Sequence, residues 1–217
     1  MFKNREEAAN LLAERLLKYK ANKDALIVAI PRGAVPMGYT IAKKLELPLE
    51  IVLSKKIGHP FNKEYAIGAI TLKNSILSDA ALEVSQEYIH DETKQIRKLL
   101  KKRLESYYED RKPLELKDKL VILVDDGIAT GNTMISCIQL IHLQEPSKII
   151  VALPVAPPSS LKKIKEMEEV SEAICLSTPI NFQAVGQFYE EFNQVNDNEV
   201  IELLKKANEN SSLKKAK

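Results

Sequence analysis

Two adjacent acidic residues, Asp125 and Asp126, follow an apolar segment and precede a turn of small and hydroxyl-bearing residues, VILVDDGIATGNT over 121–133. A helical pattern begins at Thr130. The N-terminus of a helix presents unpaired N–H groups and the positive end of its dipole, and small residues let a phosphate approach them. Carboxylates repel phosphate, but they suit sugar hydroxyls or a metal-bound substrate. The segment therefore indicates a site for a sugar phosphate such as ribose 5-phosphate.

Charged residues also follow two other apolar runs. Arg32 lies between Pro31 and Gly33 after the run at 24–31, and Lys55 and Lys56 follow the run at 49–53. In a parallel sheet, ligands bind beyond the carboxyl ends of the strands. We therefore expect these cations and the two acids to converge on one edge of a sheet, as a Mg²⁺–phosphate substrate would require.

Strand and helix patterns alternate along the chain. Short apolar runs predict buried strands at 24–31, 49–53, 120–124, 148–155 and 173–176, with 66–72 as a further candidate. Helical spacing is found at 5–20, 35–47, 130–143, 158–167 and 197–207. The alternation predicts the α/β class, with a mainly parallel sheet flanked by helices in a Rossmann-like architecture.

A long, highly charged helix is predicted at 80–112. From 91 to 119, 17 of 29 residues are charged, and the apolar positions form one narrow stripe. The pattern favours a solvated helix packed on one side, and a dimer-forming hairpin is the alternative. We predict one domain over 1–208 with a helical insertion at about 78–113, followed by a polar, frayed tail at 209–217.

Composition excludes several classes of protein. The chain has 217 residues, a net charge of +2, 45% hydrophobic residues and 29% charged residues, which is typical of a globular protein. No apolar run reaches the ~18 residues of a membrane helix, and the N-terminus lacks the apolar region of a secretory signal. Two cysteines and three scattered histidines show no metal-ligand spacing. We expect a cytoplasmic protein with no membrane partner, and the near-neutral charge argues against a dedicated nucleic-acid binder.

These residues admit three other interpretations. Residues 33–40 have the spacing of a P-loop, but Tyr39 replaces its lysine. A receiver domain needs a further aspartate soon after its acidic pair, whereas Asp197 is the next one after Asp126. The remaining alternative for the acidic pair is a solvated turn that caps a helix.

The chain resembles type I phosphoribosyltransferases, and more specifically a bacterial group of that family. The matching stretches cover most of 20–205. They are IPRGAVPMG (30–38), KKIGHPFNKEYAIGAI (55–70), VILVDDGIATGNTM (121–134), VALPVAPP (151–158) and INFQAVGQFYEEFNQVNDNEV (180–200). The resemblance implies a Rossmann-like type I phosphoribosyltransferase fold. It also implies transfer from 5-phosphoribosyl-1-pyrophosphate (PRPP) with Mg²⁺ as cofactor and release of pyrophosphate.

The family pattern implies a role for each matching site residue. Asp125 and Asp126 would be catalytic residues that bind the ribose hydroxyls. Arg32 and Gly33 would bind pyrophosphate in a loop that often contains a non-proline cis peptide, and Lys56 would be a second pyrophosphate cation. The residues that would cradle the 5-phosphate are Ala129, Thr130, Gly131, Asn132 and Thr133.

The acceptor is not indicated by the sequence. The family places a mobile lid around 59–65, and Ala34, Lys55, Gln183 and Phe188 depart from the residues expected in the group. A purine, a pyrimidine or a non-base amine remains open as acceptor, and a homodimer is the usual expectation for the fold. The main alternative function is a PRPP-binding sensor without transfer activity, for which 94–103 and the tail at 214–217 would be the candidate basic surface. A nucleotide phosphohydrolase is a weaker one.

Overall fold

The computed structural model describes residues 1–109 and 111–215. Its strands are β1 (Ala25–Ala29), β2 (Leu49–Ile51), β3 (Lys55–His59), β4 (Asn62–Ile70), β5 (Ser75–Leu77), β6 (Leu120–Val124), β7 (Lys148–Val155) and β8 (Glu172–Ser177). Its α-helices are α1 (Arg5–Arg15), α2 (Val35–Leu45), α3 (Gln86–Tyr108), α4 (Asn132–His142), α5 (Pro158–Lys165) and α6 (Asp197–Lys215).

Five strands form a parallel sheet in the order β2-β1-β6-β7-β8. The chain runs outward from β1 to β2 and later returns to β6 on the other side of β1. The loops after β1 and β6 therefore leave the same edge of the sheet on opposite sides of a crevice, which is where ligands bind in open parallel sheets.

Helices cover both faces of this sheet because side chains alternate along each strand. Ile27 and Ala29 pack in one core with α1, α2 and α6, whereas Leu26 and Val28 pack in a second core with α4 and α5. The α/β class and the mainly parallel, Rossmann-like sheet flanked by helices are therefore confirmed.

A second, antiparallel sheet of β3, β4 and β5 packs against α3. Its core joins Ile57, Ile67 and Ile70 of the strands to Ile96 and Leu100 of the helix. The candidate strand at 66–72 thus lies partly in β4 and belongs to this small sheet. The predicted insertion at about 78–113 contains α3, whose buried side chains form the expected one-sided stripe.

Several helix boundaries differ from the predicted ones. The helix expected over 5–20 ends at Arg15, and a 3₁₀ turn follows at Leu17–Tyr19. The long helix begins at Gln86 because Ser85 caps it, after a 3₁₀ turn at Asp79–Glu83. The last helix continues to Lys215 and so includes 209–215 of the segment predicted as a tail, and residues 216 and 217 lie outside the described residues.

Among the described residues, none of the helices has the length and apolar character needed to cross a membrane.

Candidate functional site

The loops after β1 and β6 touch at the crevice. Ile30 donates its backbone N–H to the carbonyl of Val124 at 3.1 Å, which extends the pairing of β1 and β6 toward the loops. A Cβ atom on Gly33 would lie 2.2 Å from Oδ2 of Asp126, so only glycine leaves room for this carboxylate. The structure therefore brings the predicted pyrophosphate loop and the predicted ribose-binding acids together, as their strand-end positions predict.

The peptide bond between Pro31 and Arg32 is cis, as the resemblance implies. The Arg32 guanidinium turns toward the start of α6, where Nη1 lies 3.7 Å from Oδ1 of Asp197. Tyr107 of α3 donates its hydroxyl to the same carboxylate oxygen. Burial, with this hydrogen bond as a smaller cause, raises the pKa of Tyr107 to about 12. The loop after β1 thus presents its Gly33 backbone to the acids and its Arg32 side chain to α3 and α6.

The two acids have different surroundings. The Asp125 carboxylate accepts the backbone N–H of Asp126 at 2.9 Å. Asp126 Oδ2 accepts a hydrogen bond from Arg5 Nε at 2.9 Å and forms an ion pair with Arg5 Nη2 at 2.8 Å. Burial raises the pKa of Asp125 well above its usual range, and the Asp126 carboxylate raises it further. Burial also raises the pKa of Asp126, and the Arg5 guanidinium opposes that rise.

Arg5 and Tyr189 are site residues that sequence reasoning missed. Arg5 begins α1, and the Tyr189 hydroxyl donates to the backbone carbonyl of Asp126 at 2.7 Å. No local pattern could identify Arg5, because 121 positions separate it from Asp126. Tyr189 lies in the matching stretch 180–200, but the sequence assigns it no partner.

The predicted phosphate turn is fixed on its inner side and open on its outer side. Ile128 donates its N–H to the carbonyl of Val155 at 3.1 Å, and the buried Ser160 of α5 donates its hydroxyl to the carbonyl of Ala129 at 2.6 Å. Gly131 has a φ of 80° and precedes the first residue of α4, a conformation that glycine adopts without strain. The exposed residues of the turn and the first turn of α4 are Ala129, Thr130, Asn132 and Thr133. This arrangement suits a phosphate at a helix N-terminus.

Lys56 lies outside this group of contacts. It is on β3, and its ammonium contacts Glu64 of β4, with the carboxylate oxygen 2.8 Å away. The hydrogen bond from Lys56 lowers the pKa of Glu64. The predicted second pyrophosphate cation is therefore paired within the β3–β4 hairpin, because residues 55–59 form an antiparallel strand and not a loop at the edge of the parallel sheet.

The segment that the resemblance identifies as a lid forms the end of the same hairpin. The His59 ring lies between two aromatic neighbours, with centroids 5.7 Å from Phe61 and 6.1 Å from Tyr65. Phe61 is 94% exposed. The tip thus presents aromatic side chains to solvent, and its motion as a lid stays a prediction.

The donor set near the turn fits a magnesium ion that arrives with a phosphorylated substrate. In the described part of the chain, no three or more His, Cys, Asp or Glu residues are grouped so as to hold a metal ion. Magnesium in phosphate-binding sites usually keeps several waters and takes one or two carboxylates together with substrate oxygens. Asp125 is an oxygen donor beside the phosphate turn that would suit such a substrate-borne ion.

Comparisons with known proteins agree with this geometry. Residues 2–189 match the family model for the phosphoribosyl transferase domain. A Mycobacterium tuberculosis protein, provisionally named a phosphoribosyl transferase, is 32% identical in an alignment of 213 positions that covers 95% of this chain and 47% of the relative. The chain thus spans about half the length of this relative. The crystal structure of TT1426 from Thermus thermophilus has a TM-score of 0.82 and 34% identity, covering 94% of this chain and 97% of that one.

A shorter match, 37% identical over 62 residues, relates 29% of the chain to 30% of a uracil phosphoribosyltransferase from Mycoplasma genitalium. The family model spans both the loop after β1 and the acids after β6, which are the two halves of the crevice. On this evidence the chain belongs to the phosphoribosyltransferase family.

Proposed function

We propose that the protein transfers the ribose 5-phosphate unit of PRPP, bound with Mg²⁺, to a nitrogenous acceptor and releases pyrophosphate. The observation that carries this proposal is the pair of largely buried carboxylates directly before an open phosphate turn at the N-terminus of α4. A phosphate in the turn would place the ribose beside Asp125 and the pyrophosphate toward the loop after β1.

In this proposal the turn holds the 5-phosphate, and Asp125 orients the ribose. Backbone N–H groups of the turn and the hydroxyls of Thr130 and Thr133 would bind the phosphate oxygens. Displacement at the anomeric carbon passes through a state with positive charge on the ring. A fixed carboxylate such as Asp125 stabilises that charge without having to reorient during the reaction.

The leaving group would lie against the loop after β1. The close approach of Gly33 to Asp126 leaves the backbone of this loop near the ribose site, and Arg32 adds a positive charge that Asp197 partly balances. Magnesium, when bound, would neutralise the pyrophosphate oxygens as bond breaking leaves charge on them. The acceptor is proposed only as a nitrogenous compound, and no residue is assigned as its general base.

The test is a calorimetric titration of the protein with PRPP, with and without Mg²⁺. We expect micromolar binding that requires Mg²⁺ and falls by at least tenfold in Asp125→Asn, because a hydrogen bond to a charged group contributes about 1.5–3 kcal/mol. Asp91→Asn on the exposed side of α3 is the matched control and should bind as the wild type does. Equal binding by wild type and Asp125→Asn would contradict the proposal.

An assay of pyrophosphate release from PRPP in the presence of candidate amines and bases distinguishes a transferase from a PRPP-binding sensor. Release that depends on one acceptor would support an enzyme. Tight PRPP binding without release in the presence of purines, pyrimidines or simple amines would support the sensor alternative.

A further inference from the structure

Arg5 joins three distant parts of the chain at the ribose-binding acids. Its Nε and Nη2 atoms form a fork on Oδ2 of Asp126, and its Nη1 donates to the carbonyl of Asn193 at 2.7 Å. The guanidinium also lies over the Phe192 ring, 3.8 Å from its centroid. The side chains of Arg5 and Asp126 are only 13% and 14% exposed. The guanidinium is thus held on three sides, so its position is well defined.

The position of Arg5 in its helix opposes the usual electrostatic preference. Arg5 is the first residue of α1, where a cation faces the positive end of the helix dipole. The next two residues, Glu6 and Glu7, are the acids that this position favours. The contact with Asp126 offsets this unfavourable placement, whereas the start of α1 itself is set by Asn4, whose side chain accepts the N–H of Glu7.

The contact makes the two adjacent acids unequal. Asp126 is engaged by Arg5 through its side chain and by Tyr189 through its carbonyl, and Gly33 packs against the same carboxylate. Among the described residues, no cation lies within ion-pair distance of the Asp125 carboxylate. Asp125 instead accepts the N–H of Asp126, so its orientation depends on where Asp126 is held.

We propose that Arg5 is a positioning residue for ribose recognition: it fixes Oδ2 of Asp126 and, through the Asp126 N–H, the orientation of the Asp125 carboxylate toward the ribose hydroxyls. This inference rests on the proposed function. A guanidinium held by the Asn193 carbonyl and the Phe192 ring fixes the place of the carboxylate oxygen that it contacts, which a flexible ammonium does not. Loss of the fork would let two adjacent carboxylates repel each other and would turn Asp125 away from the sugar.

Discrimination between ribose 5-phosphate and 2-deoxyribose 5-phosphate tests the inference. Both probes share the phosphate, so their ratio of dissociation constants reports hydroxyl recognition alone. We expect the wild type to prefer ribose 5-phosphate by about tenfold, the value of one hydrogen bond to a charged group. Arg5→Gln should lower the ratio to about twofold, and Arg5→Lys should keep an intermediate ratio. Arg15→Gln is the same change at an exposed position of the same helix and should leave the ratio unchanged.

Other outcomes distinguish failure of the inference from failure of the proposed function. A folded Arg5→Gln protein with the wild-type ratio would overturn the inference, since a purely structural role weakens both probes equally. Arg5→Lys, which keeps a cation, provides the same test if Arg5→Gln does not fold. A double variant Arg5→Gln/Asp126→Asn whose ratio falls below that of either single variant would show that Arg5 does not act through Asp126, and would overturn the inference too. If the wild type binds neither probe nor PRPP, the result contradicts the proposed function and therefore also the inference that rests on it.

Discussion

At the scale of single residues, Gly33 is the position where any side chain on the loop after β1 would collide with the Asp126 carboxylate. We expect Gly33→Ala to weaken PRPP binding by about tenfold or more and to lower the free energy of unfolding by about 1–3 kcal/mol, because overpacking forces a shift of the backbone or of a fixed side chain. The added Cβ would meet Asp126 Oδ2, which Arg5 holds in place. Calorimetry and thermal unfolding measure the two effects, and wild-type affinity in this variant would show that the loops separate easily.

Burial of the Asp125 carboxylate lowers the free energy of unfolding at neutral pH. Because burial raises its pKa, the folded protein binds a proton more readily there than the unfolded chain does, and stability falls as pH rises from the usual value of 3.8 toward the raised pKa. We therefore expect Asp125→Asn to be more stable than the wild type at pH 7, by about 1 kcal/mol, although it loses PRPP affinity. Denaturant unfolding at pH 7 and pH 4 should show that the difference shrinks at the lower pH. A less stable variant at pH 7 would show that favourable hydrogen bonds to the charged form outweigh its burial.

At the scale of secondary-structure elements, the buried Ser160 hydroxyl of α5 holds the phosphate turn by a hydrogen bond. Ser160→Ala removes the hydrogen bond to the Ala129 carbonyl, and we expect a loss of about 1 kcal/mol in stability and a few-fold loss in PRPP affinity. Ser159→Ala, one residue earlier at an exposed position of α5, is the matched control and should change neither quantity. An unchanged PRPP affinity in Ser160→Ala would mean that β7 and the packing of the turn suffice to shape it.

The elements that could be predicted from the sequence are those with a strong local pattern. The continuous apolar runs of β1, β6 and β7 are buried on both faces, so their pattern needs no partner to be recognised. Strands β3 and β4 were harder to predict, because consecutive residues at the start of each strand are exposed and include lysine, glutamate and tyrosine, so no alternation marks them. Site residues, likewise, could be predicted where they form a contiguous pattern in the sequence. The acids and the phosphate turn are contiguous in sequence, whereas Arg5, Ser160 and Tyr189 reach them only through the tertiary fold.

At the scale of the whole molecule, a network of side-chain contacts joins the crevice to helices α3 and α6. Arg32 from the loop after β1 and Tyr107 from α3 both contact Asp197 at the start of α6. The proposed pyrophosphate cation is therefore balanced by a carboxylate from a helix that begins 165 positions later in the chain.

This carboxylate should compete with pyrophosphate for Arg32. We expect Asp197→Asn to bind inorganic pyrophosphate two- to fivefold more tightly, because asparagine still accepts the Tyr107 hydroxyl but no longer neutralises the guanidinium. The gain is modest, since the Arg32 and Asp197 side chains are 40% and 52% exposed and such pairs contribute about 0–1 kcal/mol. This gain in affinity should shrink as the salt concentration rises, because salt screens the interaction.

Glu202→Gln is the control variant. It removes a negative charge that pairs with Lys206 on the same helix, and the variant should bind pyrophosphate with the affinity of the wild type. Unchanged or weaker binding in Asp197→Asn at low salt would show that Arg32 does not act on pyrophosphate through its side chain, and would leave that role to the backbone of the loop.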